Sequence, residues 1–233
     1  MFSHLSPLLK SERGITGLET AIILIAFGVV ASVFAFTNLS TGVFSSERAK
    51  ETIFAGLEDA QSSMSPRGAI IAYTGVLSDS TSTVFKMTFD LALSLNGQPI
   101  DLTAPFTADG SGTDPDFVTN PGQVTVIDYI DKNQTFPDVP WSVTFPGQDD
   151  GDSILEINER AEITVWLLNR ETGTAIGTAG SVAYQTTEGG ITSTDTVLTK
   201  NYQFTVLIKP PKGATLNLTR TLPASLDTVM NLN

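Results

Sequence analysis

Lys10-Ser11-Glu12-Arg13-Gly14-Ile15-Thr16-Gly17-Leu18-Glu19-Thr20 decides how the rest of this chain reads, because an unbroken apolar run follows it. A short charged leader ends in glycine, and the hydrophobic segment starts directly after it. One carboxylate, Glu19, stands at the head of that segment. From Thr20 to Ser46 no residue is charged. In an ordinary secretory signal the small-residue cleavage site follows the apolar core. Here the predicted cut, Gly14-Ile15, precedes it, so cleavage removes the basic leader and leaves the hydrophobic helix on the mature chain.

Residues 15–36 are apolar on all sides and long enough to cross the ~30 Å hydrocarbon core of a bilayer. Lys10 and Arg13 hold the leader on the cytoplasmic side by the positive-inside rule. One reading of this segment is a simple transmembrane anchor. The small residues suggest more: Gly17 and Ala21, Gly28 and Ser32, and Ala31 and Ala35 are each four apart, a spacing that lets helix backbones approach closely. The helix is predicted to continue to about Gln61, with Ala49, Ile53, Leu57 and Ala60 on one face. At ~1.5 Å per residue it would be roughly 70 Å long, more than twice a membrane. Packing against copies of itself gives that excess a purpose. The stretch Ser62-Ser63-Met64-Ser65-Pro66-Arg67-Gly68 reads as a stop.

From Ala69 the period changes to two. Strands are expected at residues 69–73, 84–93, 124–130, 141–145, 161–168, 181–186, 202–208 and 214–219. They are separated by turns such as Asn120-Pro121-Gly122, Pro146-Gly147 and Lys212-Gly213. Residues 99–121 read as loop. The fold class is therefore α+β: a long N-terminal hydrophobic α-helix followed by an antiparallel β-sandwich of Ig-like type. The expected organisation is leader 1–14, core helix 15–62 and β domain 68–233.

Composition narrows the function. Only 16% of the 233 residues are charged, and the formal net charge is −12. Loss of Lys10, Glu12 and Arg13 with the leader would make it −13. Such a body repels nucleic-acid phosphates and anionic membrane surfaces, leaving the helix as the membrane-seeking element. There is no cysteine, and the single histidine, His4, lies in the leader. The mature chain thus lacks the residues of Ser-His-Asp and Cys-His catalysis and of His-ligated zinc sites. A non-enzyme is expected. A carboxylate-only hydrolase would need a pair from Asp149, Asp152, Glu156 and Glu159.

Several residues carry two readings. Glu19 is either a helix-start acid favoured by the macrodipole or a partner for the new N-terminal amine of a neighbouring copy. Asp149-Asp150-Gly151-Asp152 with Glu156 offers oxygen ligands to calcium, chiefly Asp150, Asp152 and Glu156, but lacks EF-hand spacing; the plainer reading is an acidic turn and no cofactor. Three sequons occur, at Asn38, Asn133 and Asn217. Asn38 falls on the packed helix, so Asn133 and Asn217 are the expected glycosylation sites. Trp141 and Trp166 sit inside strand patterns and are expected in the core.

The leader with Ile15-Thr16-Gly17-Leu18-Glu19-Thr20-Ala21-Ile22-Ile23-Leu24-Ile25-Ala26-Phe27 resembles the class III signal and core helix of archaeal flagellins (archaellins). Ile154 to Val165 resembles their mid-domain motif. Ile208-Lys209-Pro210-Pro211-Lys212-Gly213-Ala214-Thr215-Leu216 with Arg220-Thr221-Leu222-Pro223 resembles their C-terminal end. The resemblance implies a structural subunit of the archaellum, the type IV pilin-like swimming filament of archaea. It implies cutting at Gly14-Ile15 by a prepilin-type peptidase, transient membrane insertion, and assembly of mature helices into a homopolymer core through Gly17, Glu19, Ala21 and Gly28. The β domains would lie outside, extracellular and N-glycosylated. A membrane platform and its assembly ATPase would be the other partners. The alternatives are an archaeal type IV adhesion pilin and a membrane-anchored β-sandwich binding module.

Overall fold

The computed structural model describes residues 13–61, 63–94, 97–185, 189–193 and 197–232. Residues 1–12 of the expected leader lie outside them. The chain divides into two compact units, Met1–Ala55 and Gly56–Asn233.

One helix, Arg13–Gln61, runs for 49 residues, about 73 Å at ~1.5 Å per residue. Proline is absent from it, and its polar side chains do not compete destructively with its ladder. Ser32, Thr37, Thr41 and Thr52 donate their hydroxyls to the helix's own carbonyls at Val29, Phe34, Thr37 and Arg48, at 2.8–2.9 Å. Glycines at 17, 28, 42 and 56 do not interrupt it.

The second unit is built of antiparallel sheets. The larger has five strands in the order Val229–Leu232, Met64–Val76, Ser82–Leu93, Ala161–Trp166 and Trp141–Thr144. The other main sheet has four, in the order Leu216–Thr221, Gln203–Lys209, Val126–Asp131 and Thr135–Phe136. Alternation in the Ser82–Leu93 strand explains its central place. Phe85, Met87, Phe89, Leu91 and Leu93 are buried on one face, while Lys86, Asp90 and Ala92 are half-buried on the other. Across the second sheet, Ile127 and Tyr129 align with Ile208 and Val206, and all four are buried. Both sheets contribute to one hydrophobic cluster that includes Trp141, Leu155, Ile163, Phe204 and Leu218. Trp141 is fully buried, and Trp166 is buried with its indole N–H donated to Ser142 Oγ at 3.0 Å.

Four details depart from the sequence reading. The helix ends at Gln61, as its stop signal predicts, but the first strand starts at Met64, ahead of the expected Ala69, and passes through Pro66 and Gly68. Residues 64–67 pair with the Ser82–Leu93 strand, whereas Val229–Leu232 pairs only with residues 70–73. Pro66 therefore occupies an edge, where a missing N–H is tolerated. Gly68, at φ +82°, sits in an irregularity between Arg67 and Ile71. Second, Val229–Leu232 was not expected, because four residues after a Pro- and Ser-containing turn show no period. Third, residues 99–121 are not plain loop: Phe106–Thr107 pairs with Asp116–Phe117, and the Phe106 and Phe117 rings meet edge-on at 5.4 Å. The expected strand at 181–186 is reduced to Val182–Ala183, and Thr186 lies outside the described residues.

Candidate functional site

The helix surface is the chemically unusual part of the molecule. Seventeen large apolar side chains between Leu18 and Leu57 are exposed, for example Ile22 at 61% and Phe27 at 73%. Each is worth ~1.5–3 kcal/mol when removed from water. Left in water they would cost roughly 25–50 kcal/mol, which exceeds the ~5–15 kcal/mol net stability of a typical domain. Something apolar must cover this helix. An 18-residue window within Gly17–Leu57 reaches a mean hydropathy of 2.4, and none of it is buried within the chain.

The small residues have a geometry of their own. At ~100° per residue, Gly17, Ala21, Gly28, Ser32, Ala35, Gly42 and Ser46 fall within an arc of about 80°, shared with Leu24 and Leu39. A Cβ added at Gly17, Gly28, Gly42 or Gly56 would meet nothing within 4 Å. Among the described residues nothing requires these glycines, yet each costs ~1 kcal/mol of helix stability relative to alanine. Close approach by a second helix is a use that repays that cost. Glu19 is exposed near the start of the helix and stands one turn after Ile15. Gly14 and Ile15 are in the first described turn.

The β unit presents the sequons differently. Asn133 and Thr135 are exposed in a tight hairpin between Val126–Asp131 and Thr135–Phe136. Asp131 organises it, accepting the backbone N–H of Asn133 at 2.7 Å and of Gln134 at 3.0 Å. The Tyr129 hydroxyl also donates to Asp131, at 2.9 Å, and burial together with that carboxylate pushes the Tyr129 pKa far up. Asn217 is exposed on the edge strand Leu216–Thr221, with Thr219 Oγ1 donating to its Oδ1 at 3.1 Å. Asn38 is exposed on the helix, where its amide donates to Phe34 O at 2.9 Å.

The acidic loop, read chiefly as an acidic turn, gathers a set that shares Asp150 alone with its calcium candidates. Asp149, Asp150 and Glu159 have carboxylate oxygens within 4.8 Å of one another; Asp152 and Glu156 are not in that group. Asp149, Asp150 and Asp152 each accept the backbone N–H two residues on, from Gly151, Asp152 and Ile154. Glu159 Oε2 accepts the Glu156 N–H. These turns explain the acids' placement without a ligand. A second acidic group, Asp109, Asp114 and Asp116, escaped sequence reading because it forms across a chain reversal. Asp114 is only 5% exposed, and burial raises its pKa. A cleft of about 420 Å³ near the first strand is lined by Arg67, Leu93, Ile157, Glu159 and Arg160, with a single carboxylate among its lining residues.

Comparison with known proteins agrees with this surface. The family model for archaeal-type flagellin matches residues 14–220. A probable flagellin 1 from Archaeoglobus fulgidus is 33% identical over 96% of this chain and 97% of its own length. A probable flagellin 1 from Aeropyrum pernix is 27% identical over 94% of this chain and 97% of its own. Among solved structures, the archaeal flagellum of Methanospirillum hungatei strain JF1 has a subunit of similar fold. Its TM-score is 0.55 at 20% identity, over 93% of this chain and 98% of that one.

Proposed function

Given that this chain belongs to the archaeal-type flagellin family and is a structural subunit of the archaeal flagellum, an extracellular filament, we propose how it reaches and holds its place there. A prepilin-type peptidase cuts between Gly14 and Ile15. Until assembly, residues 15–36 rest in the membrane, where lipid covers the apolar surface. Assembly by a membrane platform and its ATPase then exchanges lipid for neighbouring copies of the same helix. The helix surface carries this reading, since it is apolar on every side from Thr20 to Phe36 and carries glycines that no contact among the described residues requires. The β unit coats the filament, and Asn133 and Asn217 carry glycans.

The exchange explains why small residues matter. Lipid tails are as apolar as leucine, so moving a helix from lipid to protein gains little from the hydrophobic effect. Close backbone contact along the stripe from Gly17 through Ala21 and Gly28 supplies van der Waals attraction in its place. Glu19 is costly at the membrane boundary unless paired, and the amine freed at Ile15 of a neighbouring copy is a suitable partner. The interface is heterologous and does not close, so growth is open-ended.

N-terminal sequencing of filaments sheared from intact cells tests this directly. The expected first residue is Ile15. A start at Met1, or recovery only in membranes, returns the chain to an anchored-domain reading. Gly14→Phe should leave the leader attached and abolish filaments. Glu19→Ala should lower filament yield while the β unit stays folded; unchanged yield assigns Glu19 to the helix macrodipole alone.

A further inference from the structure

The Glu19–Ile15 amine pair marks the start of the helix, but along the uncharged stretch from Thr20 to Ser46 the contact with any neighbour that this pair does not reach can slide, since each shift by a turn replaces apolar contacts with similar ones. A stack with a unique axial repeat needs a polar mark at a fixed height. The helix has one. Between Glu19 and Glu47 the chain carries no charge, and the one amide side chain in that interval is Asn38. Thr37 and Thr41 share its side of the helix, within an arc of about 100°. That arc is turned about 130° from the small-residue stripe, so it meets a different neighbour.

The hydrogen bonds show what this mark has to offer. Thr37 and Asn38 both donate to Phe34 O, and Thr41 donates to Thr37 O. These bonds use one amide hydrogen of Asn38. Its second amide hydrogen and its carbonyl oxygen have no partner among the described residues. The side chain is exposed on a helix that must become covered. A covered amide with unfilled valences costs free energy unless a facing group satisfies it. The hydroxyls of Thr37, Thr41 and Ser45 recur at each turn of this face, but the amide occurs once, so the donor and the acceptor of Asn38 are both met by a facing amide of an identical chain at one register only.

We propose that Asn38, flanked by Thr37 and Thr41, sets the axial register between core helices of neighbouring copies by an interhelical hydrogen bond. The inference rests on the assembly reading above. A single buried asparagine plays this part in coiled coils, where it specifies register at some cost in stability. A consequence is that the sequon Asn38-Leu39-Ser40 stays unmodified, since a glycan there would keep the helices apart.

The test uses filaments from cells producing the wild-type chain, Asn38→Leu or Asn38→Gln, imaged for helical order and digested for peptide masses. Leucine matches asparagine in size and removes the amide; glutamine keeps the amide on a longer arm. Leucine is expected to blur the layer lines into several axial repeats, or to abolish filaments, while glutamine keeps a single repeat. Leucine filaments as well ordered as wild type would overturn the proposal. So would equal disorder or loss in both variants, which assigns the effect to bulk, and so would a glycan on Asn38 in wild-type filaments. Failure of the wild-type chain itself to appear in filaments would instead refute the assembly reading.

Discussion

At the residue scale, two positions in the β unit show how little slack its packing has. Gly75 lies in the first strand, and a Cβ there would stand 2.3 Å from Val182 Cγ1. Valine is stiff at χ1 and cannot swing aside. Gly75→Ala should destabilise the fold by about 1–3 kcal/mol, read as a lower thermal midpoint, and adding Val182→Ala should recover most of the loss. Absence of recovery would mean that strain in the strand, rather than this contact, sets the cost. Asp114 is the second position. Burial raises its pKa in the folded chain, so folding favours the protonated carboxyl. That contribution is complete below the unfolded pKa and is lost as pH rises through the raised folded value. Asp114→Asn, which keeps the neutral shape, should therefore be more stable than wild type at pH 7, with the advantage fading in acid. Thermal unfolding of the full chain in detergent at both pH values reads the difference. Neither position was legible in sequence. Gly75 reads as an ordinary strand glycine and Asp114 as one more surface acid, because Val182, which crowds Gly75, and Arg170, whose strand pairs with Asp114, are each more than 50 residues away along the chain.

At the element scale, the C-terminal strand is the clearest case of structure that sequence patterning misses. Val229–Leu232 is four residues long and shows alternation only once its partner is known. It closes the edge of the five-stranded sheet against residues 70–73 and buries Met230 and Leu232. Arg220 Nε donates to Leu232 O at 3.0 Å, which ties this strand to the second sheet. Ending the chain after Thr228 removes two buried apolar side chains worth ~1.5–3 kcal/mol each and bares the edge of the first strand. The expected result is a loss of about 3–6 kcal/mol in chemical unfolding, with increased aggregation. An unchanged unfolding midpoint would show the strand to be dispensable. The helix is the opposite case. Its length, the absence of charge from Thr20 to Ser46 and its small-residue spacing were all readable, because helix periodicity is local. What the sequence left out is that Ser32, Thr37, Asn38, Thr41 and Thr52 turn their polar groups onto the helix's own carbonyls. That arrangement lets a polar-dotted helix enter an apolar environment.

At the scale of the whole molecule, charge opposes assembly. The chain from Ile15 onward carries a formal −13, by removal of Lys10, Glu12 and Arg13 from a total of −12. Stacked copies repel, and screening decides how far. The Debye length falls from ~30 Å at 0.01 M salt to ~8 Å at 0.15 M. Filaments should therefore be less resistant to heat in dilute buffer than at 0.15 M salt, measured as the pelletable fraction after heating; a salt-independent fraction would mean that the acids lie too far apart to interact. By itself the sequence determined the class of molecule. An uncharged run with a glycine-ended leader, followed by period-two segments, specifies an apolar helix and an antiparallel β unit, because both patterns depend on neighbours along the chain. Tertiary structure alone decided which strands are edges, which acids come together and which glycines are free of contacts. Asp149 and Asp150 meet Glu159 rather than Asp152 and Glu156, and the first strand begins at Met64 and runs through Pro66, ahead of the expected Ala69, because each depends on chain segments brought together only by folding.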